Sequence, residues 1–341
     1  MKNLKIDILA SSGSPIGVTE KTLSGGGSRV GCGGAESGIL TLCRLWHEAG
    51  HDVTFYNDGN DGDSVFKHAP QSSFSPLVDR AVVICFRVPD GRIQHSKGKK
   101  IFYSNDQFTS GSFEAFAKLV DTVVCISPFH AEYFKVHYGI YKTEVIDIPI
   151  RTWEYENVPK VKKSCMFNSV PDRGLIFLPS IWKHIVERVP DASLTITGDW
   201  SLWSGNDYTN EVAQYRRAFA GMKNVTYLSA VRRSELIKIQ SQTEYFLYPH
   251  VSENPELFCI SLAEAQVAGA VPITSRVGAI ETTNRFGYKI DGHPQDQEFK
   301  RNFIDKTVSL MQNNLIDISD KAKLEFGSER ILERWNEIFS S

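Results

Sequence analysis

The chain has 341 residues, 41% of them hydrophobic and 23% charged, with a formal net charge of -2. That length suits two α/β domains of roughly 150 residues each, and the composition excludes the disordered and collagen-like classes. The charge gives no case for a nucleic-acid partner, and the short basic runs at 95–100 and 232–233 read as solvated surface.

In chain order, KIDIL at 5–9 reads as a buried strand, followed by a long Gly/Ser-rich loop over 11–34. From Ala35 apolar residues recur at helical spacing, Gly50 is placed to end the helix, and DVTFY gives the next strand. Such a strand-loop-helix-strand unit starts a parallel sheet. The runs at 81–86, 100–104 and 122–127 extend a Rossmann-like domain over residues 1–150, with VIDIPI at 145–150 as its edge. The polar segment 151–163, which contains Pro159, is the expected linker. SCMF, SLTIT, NVTYL, EYFLYP and AVPIT repeat the architecture over 151–322 as a second parallel sheet. The last stretch, 323–341, carries Ile331, Leu332, Trp335 and Ile338 on one stripe; it is expected to dock as a helix, with a return to the first domain as one option.

Six cysteines are scattered without close pairs, several within apolar runs, and read as small core hydrophobes. No apolar stretch nears the roughly 20 residues that span a bilayer, and the N-terminal run is too short for a signal peptide. A cytoplasmic protein without a transmembrane segment is expected, with peripheral membrane contact left open.

Several motifs are set aside. GGGSRVGCGG fits no G-x-G-x-x-G register and no GK[ST] follows it. Asp61-Gly62-Asp63 has the D-x-D form of a metal pair but lies in a turn-rich stretch and reads as surface loop. The nine histidines show no ligand spacing, so no metal and no cofactor is expected.

The richest segment is 248–283. A strand ends at Tyr248-Pro249, a loop carries Glu256, and a helix is expected from about Phe258 to Ala268, closed by Gly269. A parallel sheet binds ligands beyond the carboxyl ends of its strands, where helix N-termini present free N–H groups. Helix rise would put the carboxylates of Glu256 and Glu264 on the order of 10 Å apart, a span suited to a sugar nucleotide. One would accept bonds from sugar hydroxyls and the other from the ribose diol, with the N–H groups of Leu257, Phe258, Cys259 and Ile260 toward a diphosphate. Ser261-x-x-Glu264 also satisfies a capping box, so Glu264 as a helix cap stands beside that reading.

The span from Glu256 to Gly269 resembles the E-x7-E signature of the retaining GT-B glycosyltransferases, particularly glycosyltransferase family 4. Three further segments agree in order: Gly33-Gly34-Ala35-Glu36 with LWHEAGHDVTFY, CISPFHAEYF at 125–134, and the strand-helix-strand stretch at 169–198. The resemblance covers about residues 4–283. It implies two Rossmann-like α/β domains facing a cleft, and a transfer from a nucleoside-diphosphate sugar to a glycan or glycoconjugate acceptor hydroxyl. On this resemblance Glu256 holds the transferred sugar, Glu264 the ribose and Arg173 the diphosphate, while Gly33 and Gly34 let backbone approach the phosphates. For Arg173 a surface cation, and for the glycines a plain flexible loop, are the alternatives.

The family's usual arginine falls near Asn168, and its usual histidine is replaced by Asn105 and Asp106. These two are the candidate catalytic pair of the first domain beside Glu256, with a turn or cap role open for Asp106. Arg87 is expected on the acceptor side, or in a surface ion pair. The implied mechanism retains anomeric configuration without a protein nucleophile. An inactive nucleotide- or glycan-binding protein of the same fold is the alternative.

Overall fold

A computed structural model describes residues 3–11, 16–26, 31–60, 62, 64–202, 209–313 and 316–341. Asp61 and Asp63 lie outside the described residues, as does part of the glycine-rich run. The chain forms two compact units, one reaching to Ile150 and taking back Gly327–Ser341, the other holding Arg151–Phe326.

The first unit contains β1 (Lys5–Leu9), α1 (Glu20–Leu23), α2 (Gly34–Glu48), β2 (Asp52–Tyr56), β3 (Lys67–Ala69), β4 (Val82–Phe86), β5 (Lys99–Tyr103), α3 (Phe113–Ala117), β6 (Thr122–Cys125), α4 (Pro128–Tyr138) and β7 (Thr143–Val145). Its strands pair in parallel in the order β3-β2-β1-β4-β5-β6-β7. The order reverses between β1 and β4, which opens a crevice at their carboxyl ends. VIDIPI is strand only to Val145; Ile146, Ile148 and Ile150 leave the ladder but are buried, so their hydrophobicity serves packing. The short β3 escaped the sequence reading because KHA has no apolar alternation.

The second unit contains β8 (Ser164–Asn168), α5 (Leu178–Arg188), β9 (Ser193–Thr197), α6 (Thr209–Phe219), β10 (Val225–Ser229), α7 (Arg233–Gln242), β11 (Tyr245–Tyr248), α8 (Ile260–Val267), β12 (Val271–Ser275), α9 (Ile280–Thr283), β13 (Tyr288–Ile290), α10 (Gln297–Met311) and α11 (Ser319–Phe326). Its parallel order is β10-β9-β8-β11-β12-β13, with the reversal between β8 and β11. The segment read as a linker folds onto this unit: Tyr155 is buried and its hydroxyl donates to Gln240 Oε1 at 2.7 Å.

The last helix, α12 (Ser328–Ser340), packs in the first unit. Its Trp335 is fully buried, edge-on to Trp46 at 5.1 Å and to Tyr103 at 5.3 Å. Truncating such a ring costs about 3–5 kcal/mol, so the helix is part of the core of this unit. Among the described residues, no helix is long and apolar enough to cross a membrane.

Candidate functional site

In the second unit the loops after β8 and β11 meet at the reversal of strand order. Gly174 allows this. Its φ is +99°, and a Cβ there would lie 2.2 Å from the Pro249 carbonyl oxygen, so only glycine lets the two loops touch. That contact sets Arg173 beside the second loop. Its Nη1 donates to the Asn254 carbonyl at 2.6 Å, and its Nε lies 3.9 Å from Glu256 Oε1. Burial works against the guanidinium charge, but Glu256 and Tyr248 outweigh it, so Arg173 holds its proton more tightly than an ordinary arginine.

Glu256 is oriented from below. The fully buried Tyr248 donates its phenol to Glu256 Oε1 at 2.7 Å, and Ser169 Oγ lies 3.2 Å from the same phenol. Burial, then the neighbouring Cys259 and Glu256, push the phenol far up, so it remains a donor. His250 is also buried, with Nε2 2.9 Å from the Asn254 carbonyl. A carbonyl can only accept, so Nε2 carries the hydrogen. Burial lowers the affinity of this ring for a second proton despite Glu256. Asn254 thus takes hydrogen bonds from both His250 and Arg173 and ties the loop to the guanidinium.

The chain then enters α8 through Cys259, a non-glycine residue at φ +68° with no side-chain cap on the helix. Such left-handed residues cost about 1–3 kcal/mol and concentrate at functional sites. The uncapped first turn leaves N–H groups for an anion. Burial pushes the Cys259 thiol far up, so it is no nucleophile. Leu257, Phe258 and Cys259 bury their side chains, which leaves only their backbone for a ligand.

The helix begins at Ile260, two residues later than expected, so Glu256 is not on it and a spacing taken from helix rise does not apply. The capping box is absent as well. Cys259 is the cap residue and Ser261 is already inside the helix. Glu264 is instead the centre of a buried charge cluster. Its Oε1 accepts from Arg233 Nη1 at 2.9 Å and its Oε2 from Gln240 Nε2 at 3.3 Å, while Arg233 Nε donates to Glu154 at 2.7 Å.

In the first unit, Gly33 is the cap residue of α2 at φ -73°, a conformation open to any residue, so left-handed backbone is not what selects glycine there. Glu36, in the first turn, is buried. Arg87 leaves β4 at φ +63° and sends Nε and Nη2 to Asp106 at 2.7 and 2.6 Å and Nη1 to Glu36 at 3.1 Å. Burial opposes its charge, and the two carboxylates more than restore it. Asn105 lies beside the Tyr103 phenol with both amide atoms shielded from solvent. Nearby His130 accepts from the Ile126 N–H on Nδ1, and burial drives its pKa down to about 3, so it is neutral.

Arg173 with Glu256, and Arg87 with Asp106, are therefore each brought together from distant parts of the sequence. Tyr248, His250, Ser169, Arg233 and Glu36 were missed as partners. Their only sequence signal is position at a strand end or helix start. Among the described residues, no group of three or more His, Cys, Asp or Glu side chains is placed to hold a metal ion.

Residues 165–313 match the family described as Glycosyl transferases group 1. No curated protein matches the chain by sequence. Among solved structures, a glycosyltransferase from Rickettsia africae ESF-5 superposes with a TM-score of 0.74 at 16% identity, covering 99% of this chain and 98% of that one. AviGT4, a glycosyltransferase involved in avilamycin A biosynthesis, gives 0.70 at 16% identity over 99% and 97%. Anabaena Alr3699/HepE, in complex with UDP-glucose, gives 0.69 at 14% identity over 99% and 100%. The chain thus has the GT-B glycosyltransferase fold, two parallel α/β sheets, each with its own core.

Proposed function

We propose that this chain is a retaining glycosyltransferase that moves a sugar from a nucleoside-diphosphate sugar to the hydroxyl of a glycan or glycoconjugate. The observation that carries the reading is the pairing of Arg173 with Glu256 at the strand-order reversal of the second unit, next to the uncapped start of α8. The match to group 1 glycosyl transferases and the UDP-glucose seen in Anabaena Alr3699/HepE support it.

In this reading the donor diphosphate lies against Arg173 and the N–H groups at 257–260, and Arg173 offsets the charge that builds on the leaving phosphate. Glu256 accepts hydrogen bonds from hydroxyls of the transferred sugar. Its Oε1 is fixed by Tyr248, and no described group bonds its Oε2. The acceptor oxygen attacks the face that the diphosphate leaves, and the departing phosphate oxygen takes the proton. The two glutamates are not a glycosidase pair, which would stand about 5–9.5 Å apart across one scissile bond. Glu264 is assigned to the ribose diol through the lone pairs that Arg233 and Gln240 do not use. On the acceptor side, Asp106 and Asn105 meet the incoming hydroxyl. No metal is assigned a role, and the protein is placed in the cytoplasm, where sugar nucleotides are available.

Incubation with UDP-, GDP- and ADP-sugars, with free nucleotide assayed, tests this reading. Donor-dependent release that Glu256→Ala abolishes is the expected result. Saturable nucleotide binding without release would favour a binding protein instead. That alternative is motivated by Asn105 and by Asn168, whose buried Oδ1 has no hydrogen-bond partner among the described residues and which stands where the resemblance leads one to expect an arginine. For Glu264→Gln, nucleotide affinity should fall with the fold intact; retained affinity with a lowered Tm would remove the ribose role.

A further inference from the structure

The first unit carries a polar cavity, of about 860 Å³, at the edge of its sheet opposite the carboxyl ends that carry Arg87 and Asp106. It lies over the first residues of β5, β6 and β7 and the last turn of α12, and four lysines line it: Lys97, Lys99, Lys100 and Lys142. Gly98 fixes the run of lysines, since a Cβ there would lie 2.5 Å from the Arg80 carbonyl oxygen and 2.8 Å from that of Ala81. Lys99 caps the end of α12 by donating to the carbonyl of Ile338 and, at 2.6 Å, to Ser341 Oγ. Lys100 stands 3.5 Å from Asp121. Lys97 and Lys142 are exposed and, among the described residues, have no hydrogen-bond or ion-pair partner.

The other charges here come from β7 and α12. Glu144 pairs with Arg334 at 3.2 Å, and Arg334 also pairs with Glu337. Among the side chains that line the cavity, four lysines stand with two carboxylates, Asp121 and Glu144, so positive charge is in excess. Burial holds Lys99 below the ordinary lysine range, and Lys142 pushes the same way against Asp121 and Glu144. Small-molecule sites run from ~300 to 1,000 Å³, so the cavity has the size of such a site and the charge to take a dianion.

We propose that this cavity binds the phosphate of a small phosphate monoester, at a site separate from that of the sugar nucleotide. Lysine ammoniums suit this ligand as point charges around a tetrahedral dianion. Its separateness from a sugar-nucleotide site rests on the transferase reading, whereas phosphate binding by the lysines does not.

The test is titration of the full chain with glycerol 3-phosphate, followed by phosphorus NMR, and with sedimentation on phosphatidylglycerol vesicles as a second arm. Saturable binding is expected with a Kd below about 1 mM. Lys97→Glu with Lys142→Glu should weaken it about tenfold or more through reversed charge, with Tm and donor-dependent nucleotide release unchanged, and Arg173→Ala should leave it intact. Absence of saturation would overturn the proposal. So would binding that survives the double variant but is lost in Arg173→Ala, which would put the phosphate in the donor site. Association with vesicles but not with the soluble ester would assign the lysines to a lipid surface and overturn it too.

Discussion

Each sheet ends, at its strand-order reversal, in an arginine beside carboxylates, yet the two arginines are held in opposite ways. Arg87 has every guanidinium nitrogen on a carboxylate, two on Asp106 and one on Glu36. Arg173 gives its short bond to a neutral backbone carbonyl and stands 3.9 Å from Glu256. An incoming phosphate must compete with two carboxylates for the first fork, whereas the second gives up only a bond to a neutral carbonyl. On the proposed reading, the first arginine is a strut that fixes Asp106, and the second is a cation in waiting. Sequence alone left both open, Arg173 between the diphosphate and a surface cation, Arg87 between the acceptor side and a surface ion pair.

The contrast can be broken most directly at Glu256. Glu256→Gln should lower donor-dependent nucleotide release by roughly 100- to 1,000-fold, the scale of losing one aligned polar contact in a transition state. Near-normal turnover would remove Glu256 from the site. Next come the arginines themselves. Arg173→Ala should weaken nucleoside-diphosphate binding about 10- to 100-fold with Tm nearly unchanged. Arg87→Ala should leave that affinity alone and cost about 1–3 kcal/mol of stability, because Asp106 and Glu36 are left facing each other; calorimetric titration and thermal melts read both. If the two variants exchange these phenotypes, the distinction between strut and waiting cation fails.

A smaller effect is expected for Tyr248→Phe, which frees Glu256 Oε1 without opening a cavity. Turnover should fall about tenfold while nucleotide Kd stays within about twofold, since one hydrogen bond to a carboxylate is at stake. Equal losses in both would show that the phenol only supports the loop.

The last prediction is confined to acid. The unfolded imidazole takes a proton near its ordinary value of 6.5 and folded His130 only near 3. Between those values the unfolded state binds more protons, so stability is complete above pH 6.5 and falls as pH drops through the window, by up to about 1.4 kcal/mol per pH unit. His130→Asn should flatten this slope in urea melts taken at successive pH values. An unchanged slope would shift the effect to His250, whose burial acts in the same direction.

Much of this was legible before any coordinates. The apolar runs of AVVICF, TVVCIS and EYFLYP fall on β4, β6 and β11, because strands buried on both faces must be apolar throughout. The stripe of α12 was equally clear, with Ile331, Trp335 and Ile338 buried. VIDIPI misled because burial outside a sheet has the same composition as burial within it. Glu264 misled differently: its spacing from Ser261 imitates a cap, but the chain enters α8 through a left-handed Cys259, and no local pattern announces that turn.

By itself, then, the sequence determined the two parallel sheets, the helices between them and the segment that would carry Glu256, since each depends on hydrophobic period and turn chemistry within a few residues. Tertiary structure decided the partners. Whether an arginine is spent on carboxylates or left to meet a ligand depends on groups such as the Glu36 and Asp106 carboxylates and the Asn254 backbone carbonyl, which lie 51, 19 and 81 residues from the arginines they touch. Charge pairing acts through space, and only the order of strands brings those residues within reach.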